Sequence, residues 1–152
     1  MTILMILLAV IGGGLLSVQA AINGQLGSTV GVFRSAFLTF SVGALITALL
    51  IFYFEPKQAI TLLEVPKWQL LGAMCGVPYI IIMVLAVQRI GTALATIAVI
   101  FGQLLMSMLI DHFGWLGNVA LSFSIYRLGA LIFLGFALYL IYSSNKIREI
   151  NT

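Results

Sequence analysis

Charge is the scarcest property of this chain. Only 7% of its 152 residues are Asp, Glu, Lys or Arg and 62% are hydrophobic, whereas soluble domains carry roughly 25% charged residues. With a mean hydropathy of +1.22, the chain reads as an integral membrane protein. The formal charge of +3 rests on seven Lys or Arg placed one or two at a time, which excludes a basic patch for nucleic acid. A single cysteine, Cys75, excludes an intrachain disulfide and a multi-Cys metal site. Inside an apolar run its ordinary role is a small buried thiol. A single histidine, His112, excludes a multi-His metal site. With one His, one Cys and one acidic residue in the helical region, no nucleophile has a recognisable base, so an intramembrane enzyme is the weakest reading. No cofactor and no metal are expected. Lys and Arg are also missing ahead of the first apolar run. Val18-Gln-Ala20 has the small-residue pattern of a cleavage site, yet the run is long enough to span and is read as a membrane helix.

What is present is apolar sequence in lengths that cross a membrane. About 20 apolar residues span a 30 Å hydrocarbon layer at about 1.5 Å per residue. By that rule the chain is an all-α single membrane domain over 1–152 with five spans, at about 3–22, 34–54, 68–88, 91–110 and 126–143. Trp68, Tyr126, Tyr139 and Tyr142 read as interfacial anchors. Asn23 to Gly31, rich in Gly and small polar residues, predicts a turn or an interrupted helix end. Glu55-Pro-Lys57 and Glu64-Val-Pro-Lys67 bracket a polar loop with room for a short interfacial helix. Gln88 to Gly91 allows only a tight turn, which makes spans three and four antiparallel neighbours; Gly114 to Ser124 is a longer loop. In the third span Gly72-x-x-x-Gly76 predicts close packing, and Pro78 beside Tyr79 a kink. In the second span the hydroxyls of Ser35, Thr39, Ser41 and Thr47 are expected to bond their own helix carbonyls, with Thr39 also a minor candidate for the site.

Five spans put the termini on opposite sides. One side then holds Lys57, Lys67 and Arg127, the other Arg34, Arg89, Lys146 and Arg148. Because Lys/Arg asymmetry sets orientation, three against four allows insertion in either direction and hence an antiparallel dimer, beside the alternative of one orientation set by loop details.

The fourth span carries polar residues at every fourth position: Gln103, Ser107 and Asp111. At about 100° per residue they form one stripe. Counted from Gly91, Gln103 lies about 18 Å deep, near the midplane, and Asp111 about 30 Å, at the far face. An amide at the midplane hydrogen-bonds without the cost of burying an ion, so Gln103 suits a neutral or mixed-polarity ligand or a helix contact. Asp111 sits at a helix C-terminus, where the macrodipole disfavours a carboxylate. It should find a cation or donor, with His112 and Arg127 the candidates, and its simplest role is a hydrophilic helix stop ahead of Gly114. In the first span Gln19 and Asn23 are again one turn apart, flanked by Gly12-Gly-Gly14 and by Gly24 and Gly27, so this helix can approach another closely or break.

With these residues in view, the chain resembles the five-helix YdcZ-type branch of the drug/metabolite transporter superfamily, a bacterial inner-membrane group. The resemblance rests on Gly102 to Gly114, with Gln103, Ser107, Asp111 and His112. It continues in Gln19-x-x-x-Asn23 with Leu26-Gly27, Phe40-x-x-Gly43, Trp68 with Leu71-Gly72 and Gly76, and Arg127 with Gly129 and Gly135, covering nearly the whole chain. It implies half of a ten-helix transporter built from inverted five-helix repeats, completed by a second copy or a close paralogue in inverted orientation. Small members of the superfamily use a membrane-embedded glutamate in the first helix for cations and protons; this first span has no acidic residue.

The function expected is small-molecule transport by alternating access, in a lipid bilayer, by an antiparallel homodimer or paralogue heterodimer. Gln103, Gln19 and Asn23, supported by Ser107, are the ligand-facing candidates for a neutral or amphipathic substrate; Asp111 and Arg127 belong to gating or an interface. The alternative is a non-transporting membrane subunit that stabilises or localises a partner complex, in which the stripe serves as interhelical glue.

Overall fold

A computed structural model describes residues 1–56, 64–122 and 124–150. It contains five α-helices: α1 (Thr2–Val30), α2 (Val32–Phe54), α3 (Gly72–Ile90), α4 (Thr92–Phe113) and α5 (Ile125–Ile150). A 3-10 turn, Lys67–Leu71, leads into α3, and there is no strand among the described residues. Each helix, α3 together with its leading turn, supplies a segment long and apolar enough to cross a membrane. At most 17% of the most apolar window of any span is buried within the chain. An apolar surface of that extent needs lipid or another chain as its solvent. The expected all-α, five-span membrane fold is what the chain adopts. Lys57 and the expected interfacial helix of the α2–α3 connection lie outside the described residues.

One boundary differs from expectation. The Asn23 to Gly31 stretch is not a turn: α1 runs through it without interruption to Val30. Its 29 residues make a helix of about 43 Å. The break falls at one residue, Gly31, at φ 92 and ψ 152, a region essentially reserved for glycine. Gly91, at φ 78 and ψ 163, likewise separates α3 from α4. The helix survives Gly24 and Gly27 because these two are packed rather than solvated. Ala20, Asn23, Gly24 and Gly27 form its buried seam, the i, i+3, i+4, i+7 pattern of one helix face. Ser28 and Thr29 turn their hydroxyls back to the carbonyls of Gln25 and Leu26 at 2.7 and 2.8 Å, so their polar groups reinforce the last turn.

The backbone divides into two units, Met1–Arg89 and Ile90–Thr152. In the first, the α1 seam meets Ser35 and Ala36 of α2 and Met83 and Val84 of α3, all buried. Small residues at this seam allow the close backbone approach that membrane helices use in place of a hydrophobic driving force. Only half of the small-residue pair expected to pack in α3 does so. A Cβ on Gly76 would lie 3.4 Å from the Phe40 ring, whereas Gly72 faces open space. Helix α3 continues across Pro78. Cys75, expected as a buried thiol, is exposed; a lipid-facing position is as apolar as a core and suits the same side chain. In the second unit α4 packs on α5, with the Phe101 ring edge 3.4 Å from where a Cβ of Gly135 would stand and Met108 buried.

Candidate functional site

Asn23 is the polar centre of the first unit. It is only 7% exposed, and two α2 hydroxyls converge on it: Ser35 Oγ donates to its backbone carbonyl at 3.0 Å and Thr39 Oγ1 to its Oδ1 at 2.8 Å. From α3, Gln88 Nε2 donates to the next α1 carbonyl, Gly24, at 3.1 Å. Three helices are thus stitched over two consecutive residues of α1. Such bonds satisfy polar groups that have no access to water in hydrocarbon. Thr47 bonds its own helix, at the Gly43 and Ala44 carbonyls, as expected; Ser35 and Thr39 instead reach across to α1.

Thr39 takes up the Oδ1 of Asn23, and Asn23 lines a narrow cleft of about 10 Å³, room for about one water molecule. Gln19, Tyr79, Met83 and Val84 share its wall. Gln19 is exposed and also borders an open groove of about 340 Å³ along α2 with Leu38, Thr39, Val42 and Ile46. Gln19 and Asn23 therefore differ in kind: Asn23 is held in a helix junction, and the amide of Gln19, at the rim, has no hydrogen-bond partner among the described residues.

The polar stripe of α4 belongs to the second unit. Gln103 is exposed and makes no hydrogen bond to the described residues. Ser107 is exposed too, its hydroxyl donating to the Leu104 carbonyl of its own helix at 3.0 Å. Asp111 closes the stripe, where Arg127 Nη1 donates to its Oδ2 at 2.9 Å, with the side chains 43% and 32% exposed for Arg127 and Asp111. Of the two candidate partners, Arg127 provides this ion pair. The helix ends at Gly114 in the left-handed conformation, whose N–H bonds the Ile110 carbonyl. Leu121 N–H returns to the Asp111 carbonyl at 2.8 Å.

The structure thus brings Asn23 together with Thr39 and Gln19, and Asp111 with Arg127. Ser35, Gln88 and Tyr79 were missed as participants. Ser35 and Thr39 are one turn apart on α2, as Gln19 and Asn23 are on α1, and matching those two polar pairs could have found the junction. Gln88 carried no such signal, because its neighbours read as a turn.

A family model described as "Putative inner membrane exporter, YdcZ" matches residues 4–140. The chain belongs to the YdcZ family. No curated protein and no solved structure matches it. As a YdcZ-family chain with five spanning helices it is a multi-pass inner-membrane protein, and the family description makes it a candidate exporter rather than an enzyme.

Proposed function

We propose that the protein moves a small neutral or amphipathic solute across the inner membrane by alternating access, as an antiparallel dimer with a second copy or a close paralogue. The observation that carries this reading is Gln103, an exposed amide without a hydrogen-bond partner among the described residues, in the middle of an apolar helix. Left in hydrocarbon, such a group costs several kcal/mol (roughly, from transfer data). A second copy in inverted orientation supplies its own Gln103 at the same depth, and together they form a polar, uncharged midplane site of the kind found between inverted repeats. Gln19 is the matching group on α1: it lies twelve residues before the helix break at Gly31, as Gln103 lies twelve after the break at Gly91. Asn23, on the narrow cleft, is the further ligand-facing candidate of α1, Ser107 extends the stripe, and the Asp111–Arg127 pair stands at its end as a gating or interface element.

The test uses Cys75→Ser as background. Gln103→Cys should crosslink between copies in native membranes with a short bifunctional thiol reagent. Glu55→Cys and Asn145→Cys should each label from both sides of the membrane. One uniform orientation and no crosslink, in the absence of an inverted paralogue, would refute the dimer. Gln103→Leu should abolish flux in proteoliposomes scanned with neutral and amphipathic solutes; a membrane subunit that uses the stripe as glue would keep its role in this variant.

A further inference from the structure

We propose that the α4–α5 connection is a membrane-interface anchor, whose occupant is the headgroup and upper acyl region of a phospholipid bilayer. Every residue from Phe113 to Ser122 is uncharged, in contrast to the α2–α3 connection with Glu55, Lys57, Glu64 and Lys67. The connection also folds back on the end of α4. After the left-handed Gly114, Trp115–Gly117 forms a 3-10 turn, Asn118 N–H bonds the Trp115 carbonyl at 3.2 Å, and Leu121 N–H bonds the Asp111 carbonyl at 2.8 Å. A Cβ on Gly114 would stand 3.3 Å from both the Ala120 Cβ and the Asn118 carbonyl oxygen, so the knuckle is tight.

Most of what the knuckle turns outward is apolar, Asn118 and Ser122 being its exposed polar residues. Leu116, Val119 and Leu121 are 64%, 79% and 46% exposed, and Trp115, stacked on Phe113 with ring centroids 5.1 Å apart, is 47% exposed. Leu116 is the only non-glycine with positive φ among the described residues, at φ 60 and ψ 26. That backbone region favours Gly or Asn for steric reasons independent of solvent, so the knuckle itself holds Leu116 there. A leucine held there with its side chain outward fits an environment that rewards apolar exposure. Both ends of the connection enter membrane spans, which places these side chains at the boundary where Trp partitions by preference. The knuckle would thereby hold the Asp111–Arg127 pair at a constant depth.

The chain has two tryptophans, so Trp68→Phe leaves Trp115 as the sole indole, and Trp115→Phe reports Trp68 as a control for folding. The Trp68→Phe protein is reconstituted in phosphatidylcholine vesicles brominated at defined acyl positions and titrated with acrylamide. Trp115 is expected about 5–10 Å inside the headgroup boundary: blue-shifted, quenched most by bromines on the upper acyl chain, and poorly by acrylamide. Ready acrylamide quenching with no bromine effect would place the knuckle in water and overturn the proposal. Shielding from both quenchers would mean that protein covers it, which overturns it equally. These outcomes do not depend on whether the protein transports.

Discussion

Substituting Gly27 by alanine tests the α1 seam at its tightest point. A Cβ there would collide with the Val84 γ-methyl and stand 2.8 Å from Gln88 Nε2. Val84 is 1% exposed and has nowhere to move, and Gln88 must give up its bond to the Gly24 carbonyl. Overpacking costs about 1–3 kcal/mol and the lost hydrogen bond about 0.5–1.5 kcal/mol. The better helix propensity of alanine returns at most about 1 kcal/mol. With that full return the net is a destabilisation of about 0.5–3.5 kcal/mol, a factor of about 2–400 in the unfolding equilibrium. The assay is reversible unfolding of the purified protein in mixed micelles with increasing dodecyl sulfate, followed by helical circular dichroism. Gly13→Ala is the control: nothing lies within 4 Å of its added Cβ, so it should be neutral or mildly stabilising. Trimming the obstacle should rescue the loss, making Gly27→Ala with Val84→Ala less destabilised than the sum of the single changes. If Gly27→Ala were as benign as Gly13→Ala, the argument that close α1–α3 approach holds this helix together would be wrong.

Three further outcomes follow from the geometry. Thr39→Val removes the donor to Asn23 Oδ1 and should cost about 1 kcal/mol, since bonds between membrane helices average about 0.6 kcal/mol and orphaned buried acceptors cost more; a double-mutant cycle with Asn23→Ala should show the coupling. Gly31→Ala forces a side chain into φ 92 and ψ 152 and should destabilise by about 1–3 kcal/mol despite the open space around it, a strain readable in the same unfolding assay. Asp111→Asn should change stability by less than about 1 kcal/mol, because the pair with Arg127 is only partly buried by the chain; with the pair held at the bilayer boundary, the effect should alter little as salt is raised.

The limits of reading the chain by itself are clearest at Asn23 to Val30. Local composition argues for a turn there, since Gly24, Gly27, Ser28 and Thr29 are all poor helix formers. Tertiary packing reverses this: glycines that would be flexible in water become the surface against which Val84 and Val87 fit. Cys75 shows the converse, because an apolar run does not say which of its faces meets protein and which meets lipid. Asp111 was more legible. Its position at a helix end required a compensating charge or donor, and Arg127 lay sixteen residues on in the neighbouring helix.

Composition and run length, taken alone, decided that this chain lives in a bilayer as five helices, because the price of exposing unpaired backbone to hydrocarbon leaves no other choice for apolar runs of that length. They also lead to the expectation of Gln103 at mid-depth, since helical rise converts sequence number into distance. Only the tertiary structure decided which polar groups are already spoken for. Among the described residues Asn23 is held by Thr39 while Gln103 and Gln19 are left open, because hydrogen-bond partners on other helices are separated by stretches of chain over which no local periodicity carries information.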